Sequence, residues 1–441
     1  MTRMDRFLFG TQTIDAQGHL NIGGCDTVKL AEEFGTPLYV LDEALVRANC
    51  RAYKQEFGER LEQVEVAYAS KALLTTAICR IMAQEGMAMD VASRGELYTA
   101  VKAGSPVDRI KLHGNYKSDE LLSMACEYKP GRIVADSMSE LQRLSKLAGE
   151  RNWTPNILLR VGPGIKTQTH TYIQTGQADS KFGLGIASGA AMEGIKLALS
   201  LPNLNVCGVH CHIGSQLLSV DSFSHAIEMM IDFIDKVKEE TGWECPELDM
   251  GGGLGISYTP DDVPATVGEL AAIMCSALES SVHKHGIAMP KLILEPGRSI
   301  VGTAGTTLYR VGPVKEIPGV RTYVAVDGGL SDNPRPALYE AEYMALIANK
   351  ADQAATETVR VAGAHCETDT LIPEISLQPV EEGDVMAVLC TGAYNHAMAS
   401  NYNRFTRPAM VLVNEGKADL IYRRESLDDL IDHDVIPDRL A

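Results

Sequence analysis

Between residues 64 and 295 the chain repeats one local pattern, a short β-type run followed by an amphipathic helical stretch. The β-type runs are Val64–Tyr68, Met87–Val91, Ile110–His113, Arg132–Ala135, Ile157–Val161, Val206–His210, Glu247–Met250 and Leu292–Glu295. Among the intervening stretches, Phe223–Val237 carries Phe223, Ile227, Met230, Ile231, Phe233 and Ile234 at helical spacing. Val267–Val282, Leu141–Leu147 and Leu97–Val101 are further cases, and an apolar helix is predicted over Ala72–Met82. Strands that alternate with helices pair in parallel, with the helices as crossovers. Eight consecutive units predict an α/β fold, a (β/α)8 TIM barrel. An open doubly wound sheet shares the alternation, but the count favours closure.

Past Glu295 the helical pattern fades. Thr307–Val314, Thr322–Val326, Thr358–Val361, Val385–Leu389 and Met410–Val413 are β-type, and Val411–Tyr422 reads as a hairpin around Asn414-Glu415-Gly416. Pro37-Leu38-Tyr39-Val40-Leu41 is β-type as well. A second, all-β domain, a barrel or sandwich, is therefore predicted from both chain ends. The boundaries are 1–42 for the N-terminal β segment, 43–300 for the barrel and 301–441 for the C-terminal β domain.

Composition narrows the partners. With 40 basic and 58 acidic residues the net charge is −18, so a phosphate backbone is repelled and nucleic acid is a poor partner. No apolar run reaches about 18 residues, the length needed to span a membrane. The apolar piece after Met1–Arg6 is too short for a signal peptide. The 10 cysteines are scattered, without a Cys-x-x-Cys pair, as in a chain kept reduced in the cytoplasm.

A barrel of this kind carries its chemistry at the C-terminal ends of its strands. Those ends read Tyr68-Ala-Ser-Lys71, Asp90, His113, Asp136, Arg160, His210-Cys-His212, Gly251-Gly-Gly253 and Glu295-Pro-Gly-Arg298, every one polar, charged or glycine. A lysine at a barrel mouth, partly desolvated, can act as an amine nucleophile toward an aldehyde, although taken alone Lys71 reads more readily as a solvated loop residue. Gly251–Gly253 and the turn His212-Ile-Gly-Ser215 follow neighbouring strands, and two glycine turns side by side suit a phosphate better than either alone. Cys207, His210, Cys211 and His212 could be metal ligands, but Cys211 points away from the two histidines and no further ligand completes a set; no metal is expected. A buried carboxylate at Glu295 needs a partner. Arg298 is one candidate, and a protonated ring nitrogen, which the carboxylate would keep charged, is the other.

These motifs, with Cys366-Glu367 and Gly392-Ala-Tyr394, resemble the fold-type III pyridoxal-phosphate decarboxylases, the group with an alanine-racemase-like barrel. Arg335-Pro-Ala-Leu-Tyr339, Ser180-Lys-Phe-Gly183 and Ser400-Asn-Tyr-Asn403 narrow the resemblance to the diaminopimelate decarboxylases, over residues 25 to 435. The resemblance implies that Lys71 holds pyridoxal 5'-phosphate covalently, His212 stacks on its ring, and Asp90 supports the ring from the side. It implies that Ser215 and Gly251, Gly252 and Gly253 bind the phosphate, with Tyr394 closing on it. Glu295 would face the ring nitrogen, and Pro296, Gly297 and Arg298 would complete the cofactor turn. Arg298, Arg335, Tyr339, Glu367 and Tyr394 would bind the substrate, and Cys366 would donate a proton from the partner subunit of a homodimer. Thr368-Asp369-Thr370 departs from the serine and glycine anticipated after Glu367. The activity implied is decarboxylation of meso-2,6-diaminopimelate to L-lysine and CO2, the last step of lysine biosynthesis. Arginine forks suit a substrate with a carboxylate at each end. Relatives acting on D-ornithine or D-lysine, carboxynorspermidine or a carrier-protein-linked amino acid are the alternatives, ahead of a silent cofactor-binding protein or a metal-dependent barrel hydrolase built on His210 and His212.

Overall fold

A computed structural model describes residues 8–164 and 180–440; Met1–Arg6, read above for a leader, lie outside them. The chain divides into two compact units, one of Met1–Val46, Ser257–Asp262 and Val301–Ala441, the other of Arg47–Ile256 and Val263–Ile300.

The second of these is a closed parallel barrel. Its strands are β1 (Val64–Ala69), β2 (Ala88–Val91), β3 (Ile110–Leu112), β4 (Arg132–Ala135), β5 (Asn156–Gly162), β6 (Asn205–His210), β7 (Glu247–Asp249) and β8 (Lys291–Leu294). Neighbours in sequence are neighbours in the sheet, and Leu292 and Leu294 of β8 pair with Val64 and Val66 of β1 to close it. Parallel strands are covered on both faces and so read as continuous apolar runs. Val134, Leu158 and Ile293 meet in one such buried layer.

Helices follow the strands, and hydroxyl caps set where several of them begin. Thr75, Ser93, Ser118, Ser137 and Thr266 each accept a hydrogen bond from a first-turn amide, and Thr266 with Glu269 forms a capping box. The helix after β1 starts at Thr76 rather than Ala72, because Ser70–Ala72 make a single 3-10 turn and Thr75 is the cap. Lys71 therefore sits in that turn. The long helix Asp221–Thr241 buries the predicted stripe Phe223, Ile227, Met230, Ile231, Phe233 and Ile234.

A charged group lies among β1, β3 and β8. Glu65 accepts from Lys291 Nζ at 2.8 Å and from the fully buried Lys111. Burial pushes the Glu65 carboxyl up, but the two ammonium groups outweigh it and hold the pKa at about 2.

The other unit is a mixed sheet. Its strands are β9 (Gly305–Ile317), β10 (Arg321–Val326), β11 (Ala345–Ile347), β12 (Glu357–Ala362), β13 (Thr370–Leu377), β14 (Val385–Leu389), β15 (Ala409–Asn414) and β16 (Lys417–Tyr422), joined by the N-terminal strand Leu38–Asp42. The main order is β13, β12, β10, β9, Leu38–Asp42, β15, β16, with β14 on β9 and β11 on β14. The barrel or sandwich predicted from both chain ends is thus one nine-stranded sheet in which the N-terminal strand lies between β9 and β15. The predicted hairpin turns at Glu415 and Gly416, both at positive φ (49° and 76°), as a two-residue hairpin loop requires. Among the described residues no helix is long and apolar enough to cross a membrane, and all ten cysteines are free thiols.

Candidate active site

The strand ends gather a buried set of ionisable side chains. Asp90 is the penultimate residue of β2, His113 follows β3, Arg160 lies in β5, His210 closes β6, Asp249 closes β7 and Glu295 follows β8; all are nearly withdrawn from solvent. Glu295 is the centre. Its Oε1 lies 2.7 Å from His113 Nε2 and its Oε2 lies 3.1 Å from His210 Nε2. The two imidazoles meet edge-to-face, 5.0 Å between ring centres, and His113 Nε2 also lies 3.6 Å from Asp90 Oδ1.

These contacts separate the carboxyls by protonation state. Burial alone would push Glu295 up, but His113 and His210 outweigh it and hold the carboxyl well below the usual carboxylate range. Asp249 moves the opposite way, well above that range, through burial and the neighbouring Glu295 charge. Asp90 is pushed up to about 6, first by burial and then by Glu295, against the pull of His113. His212 is kept neutral well below the ordinary imidazole value by burial and by the charges of Lys71 and Arg160. One carboxylate held ionised among carboxyls driven toward neutrality is the pattern of an acid–base site rather than of a structural ion pair.

Glu295 pairs with the two histidines, partners that the sequence reading did not name. Arg298 Nη2 donates to Ser215 Oγ at 3.0 Å. The Glu-Pro-Gly-Arg turn is fastened to the β1 end, where Ala69 N donates to Pro296 O at 3.0 Å. A Cβ on Gly297 would stand 3.0 Å from the Ala69 Cβ, so the approach leaves no room for a side chain without movement.

The two glycine turns predicted as a pair are joined. Leu217 N donates to Gly253 O and Gly255 N to Leu217 O, both at 2.9 Å, while the Gln216 side chain bonds Ile256 at both its amide atoms. A Cβ on Gly252 would fall 2.1 Å from Glu295 O, and Gly251 and Gly253 take positive φ of 65° and 128°. Only glycine fits there, and the result is bare backbone beside Ser215 and His212.

Lys71 is exposed at the β1 end, in line with the solvated-loop reading of the residue taken alone. Its charge acts on Asp90, Glu96, His210 and His212, which ties it to the cluster. The Ser180-Lys-Phe-Gly183 motif is held at the same end, with the Arg160 guanidinium 4.2 Å over the Phe182 ring and Gly183 N donating to Asp136 Oδ1 at 2.6 Å. Cys207, Cys211 and His212 do not converge with His210; the barrel atoms that do are those of His113, His210 and Glu295, within 4.8 Å of one another.

Arg335, Tyr339, Cys366, Glu367 and Tyr394 lie in the mixed-sheet unit. Arg335–Tyr339 is a short helix, with Arg335 buried. Cys366 is exposed, its amide donating to Asn403 Oδ1 at 2.9 Å, and Glu367 accepts from Tyr402 at 2.6 Å. Tyr394 stands at a φ of 65°, unusual for a side-chain-bearing residue. His113 and Arg160 were visible only as polar strand ends, and Asp249 was not singled out at all; nothing local marked them as neighbours of Glu295.

Residues 43–302 match the family described as pyridoxal-dependent decarboxylase, pyridoxal binding domain. The diaminopimelate decarboxylase of Bacillus subtilis (strain 168) is 46% identical over 430 residues, covering 97% of this chain and 98% of that one. The chain is also similar to the crystal structure of diaminopimelate decarboxylase from M. jannaschii in co-complex with L-lysine, at a TM-score of 0.91 and 40% identity, with 98% of this chain and 99% of that one covered. The Helicobacter pylori diaminopimelate decarboxylase complexed with L-lysine gives a TM-score of 0.84 at 30% identity, over 92% of this chain and 98% of that one.

Proposed function

The chain belongs to the pyridoxal-dependent decarboxylases, and from that premise we propose how its residues carry the reaction. It is a diaminopimelate decarboxylase, a carboxy-lyase that uses pyridoxal 5'-phosphate to convert meso-2,6-diaminopimelate to L-lysine and CO2, the last step of lysine biosynthesis. The observation that carries the reading is Glu295, a carboxylate kept ionised at the barrel mouth by two imidazoles.

The residues fit the cofactor. The side-chain-free backbone at Gly251, Gly252 and Gly253, next to the Ser215 hydroxyl, suits a phosphate. Lys71 supplies an amine for the aldehyde, and the neutral, buried His212 ring supplies a flat face. When bound, the cofactor supplies a cationic ring that accepts the electron pair left by the departing carboxylate. Glu295 holds the proton on the ring nitrogen, and His113 and His210 hold Glu295 in the form that can do so. Asp90 supports the ring, while Pro296 and Gly297 set the turn that carries Glu295 and Arg298 to the β1 end.

Arg298 and Arg335 bind carboxylates, Glu367 accepts the second ammonium, and Tyr339 and Tyr394 line the substrate. Cys366 delivers a proton to the α-carbon. The exposure of Cys366 is in keeping with a thiol offered to a second copy, and we assign the working form as a cytoplasmic homodimer whose sites are built from both subunits. Incubation of the holoenzyme with meso-diaminopimelate tests the reading: lysine and CO2 are expected in equal amounts, and absence of both refutes it.

A further inference from the structure

Arg335 is 7% exposed, yet among the described residues it has no carboxylate partner. A buried guanidinium without an acid is unfavourable unless aromatic faces or a bound anion compensate. Two tyrosines do so in part. Arg335 Nη1 donates to Tyr343 Oη at 2.7 Å, and the guanidinium carbon lies 4.9 Å from the Tyr258 ring centre and 5.7 Å from that of Tyr343. The rings meet edge-to-face, 5.4 Å apart at 82°, and both tyrosines are buried. Tyr258 is itself fixed, since Asp262 Oδ2 accepts from its amide at 2.9 Å.

We propose that Tyr258 and Tyr343 are specificity-determining positioning residues, which hold Arg335 as a preformed anchor for the carboxylate at the non-reacting end of the substrate. The proposal rests on the reading of Arg335 as a substrate clamp. The Tyr343 hydroxyl fixes the rotation of the guanidinium fork. The Tyr258 face stabilises the charge without neutralising it, so the charge remains available to an incoming carboxylate; an acidic residue in its place would compete with the substrate. Decarboxylation at one end of meso-diaminopimelate leaves the far carboxylate in lysine, so product and substrate share this anchor.

The test compares the holoenzymes of Tyr343→Phe, Tyr258→Leu, Tyr258→Phe and Arg335→Ala. A hydrogen bond to a charged group is worth about tenfold or more in affinity. Tyr343→Phe is therefore expected to raise KM for meso-diaminopimelate by about tenfold, with kcat within about twofold. L-lysine should inhibit less well by a similar factor, whereas 1,5-diaminopentane, which lacks a carboxylate, should inhibit as before. Tyr258→Leu should act in the same direction, and Tyr258→Phe, which keeps the ring face, less strongly. Should the Leu variant not fold, Tyr343→Phe decides. If Arg335→Ala raises KM while neither tyrosine variant does, the bracket is overturned and the clamp survives. Equal losses for lysine and diaminopentane, or a fall in kcat alone, overturn it as well. If Arg335→Ala leaves KM unchanged, the clamp reading itself fails and takes the bracket with it.

Discussion

His113 Nε2 and Glu295 Oε1 stand 2.7 Å apart, joining the third and eighth strand ends of the barrel through a buried charge-assisted contact. With His210 on the other oxygen, the carboxylate is clasped on both sides. Such a group stays ionised although it is shielded from water, because two imidazoles replace the lost hydration. It can therefore hold a proton on a ring nitrogen opposite it.

Glu295→Gln removes the charge and keeps the shape. One charge-assisted contact is worth about 1.5–3 kcal/mol, or about 10–150-fold in rate. The variant is expected to retain cofactor by absorbance and to lose kcat within that range. An unchanged kcat would show Glu295 to be structural only.

Lys71→Ala removes the exposed amine beside the cluster. The absorbance band of the lysine–cofactor linkage and the turnover should both vanish, while the far-ultraviolet dichroism stays that of a folded chain. Full activity in this variant would sink the cofactor assignment.

Glu65 offers a pH test that is independent of catalysis. Its pKa falls from 4.5 to about 2 on folding, so its contribution is fully present above pH 4.5 and is lost as the pH falls toward 2. The shift corresponds to about 3 kcal/mol at neutral pH. Glu65→Gln should destabilise by that order in denaturant titrations at pH 7, and the gap to wild type should narrow as pH falls through this window. A gap independent of pH would mean that lost packing, not charge, explains the variant.

Subunit mixing tests the shared site. Lys71→Ala and Cys366→Ala should each be nearly inactive alone. If each site draws Lys71 from one subunit and Cys366 from the other, a mixed dimer collects both defects in one site and leaves the second intact. Random exchange makes half the dimers mixed, so about a quarter of wild-type activity should return. No recovery after verified exchange would place both residues of a site on one chain.

The fold was legible where periodicity is local. Arg132–Ala135 and Val385–Leu389 occur as strands residue for residue, because an apolar run between turn residues leaves little choice of ends. Thr370–Leu377 escaped because Pro373 sits inside it, and proline argues against a strand. The strand survives by register shifts against β12, and Pro373 O accepts from Arg360 Nε instead. Ala345–Ile347 is too short to announce itself. The glycine turns were legible because only glycine tolerates their backbone. The partner of Glu295 was not, because 182 residues separate it from His113 (295 − 113) and only the closed barrel brings the two together. Tyr258 and Tyr343 carry no motif, and a ring beneath an arginine looks like any buried tyrosine until the contact is seen.

The strand Leu38–Asp42 lies between β9 and β15, so both of its neighbours are made long after it. On the ribosome, where chains emerge N-terminus first, this strand leaves the exit tunnel with both edges bare, and the barrel segment can close around its own local crossovers before either neighbour exists. The mixed sheet must wait for Ala409–Asn414, made long after the barrel segment. A message truncated before that point would release a chain with a finished barrel and an unsatisfied, almost wholly buried-type strand, Leu-Tyr-Val-Leu-Asp, open to other chains.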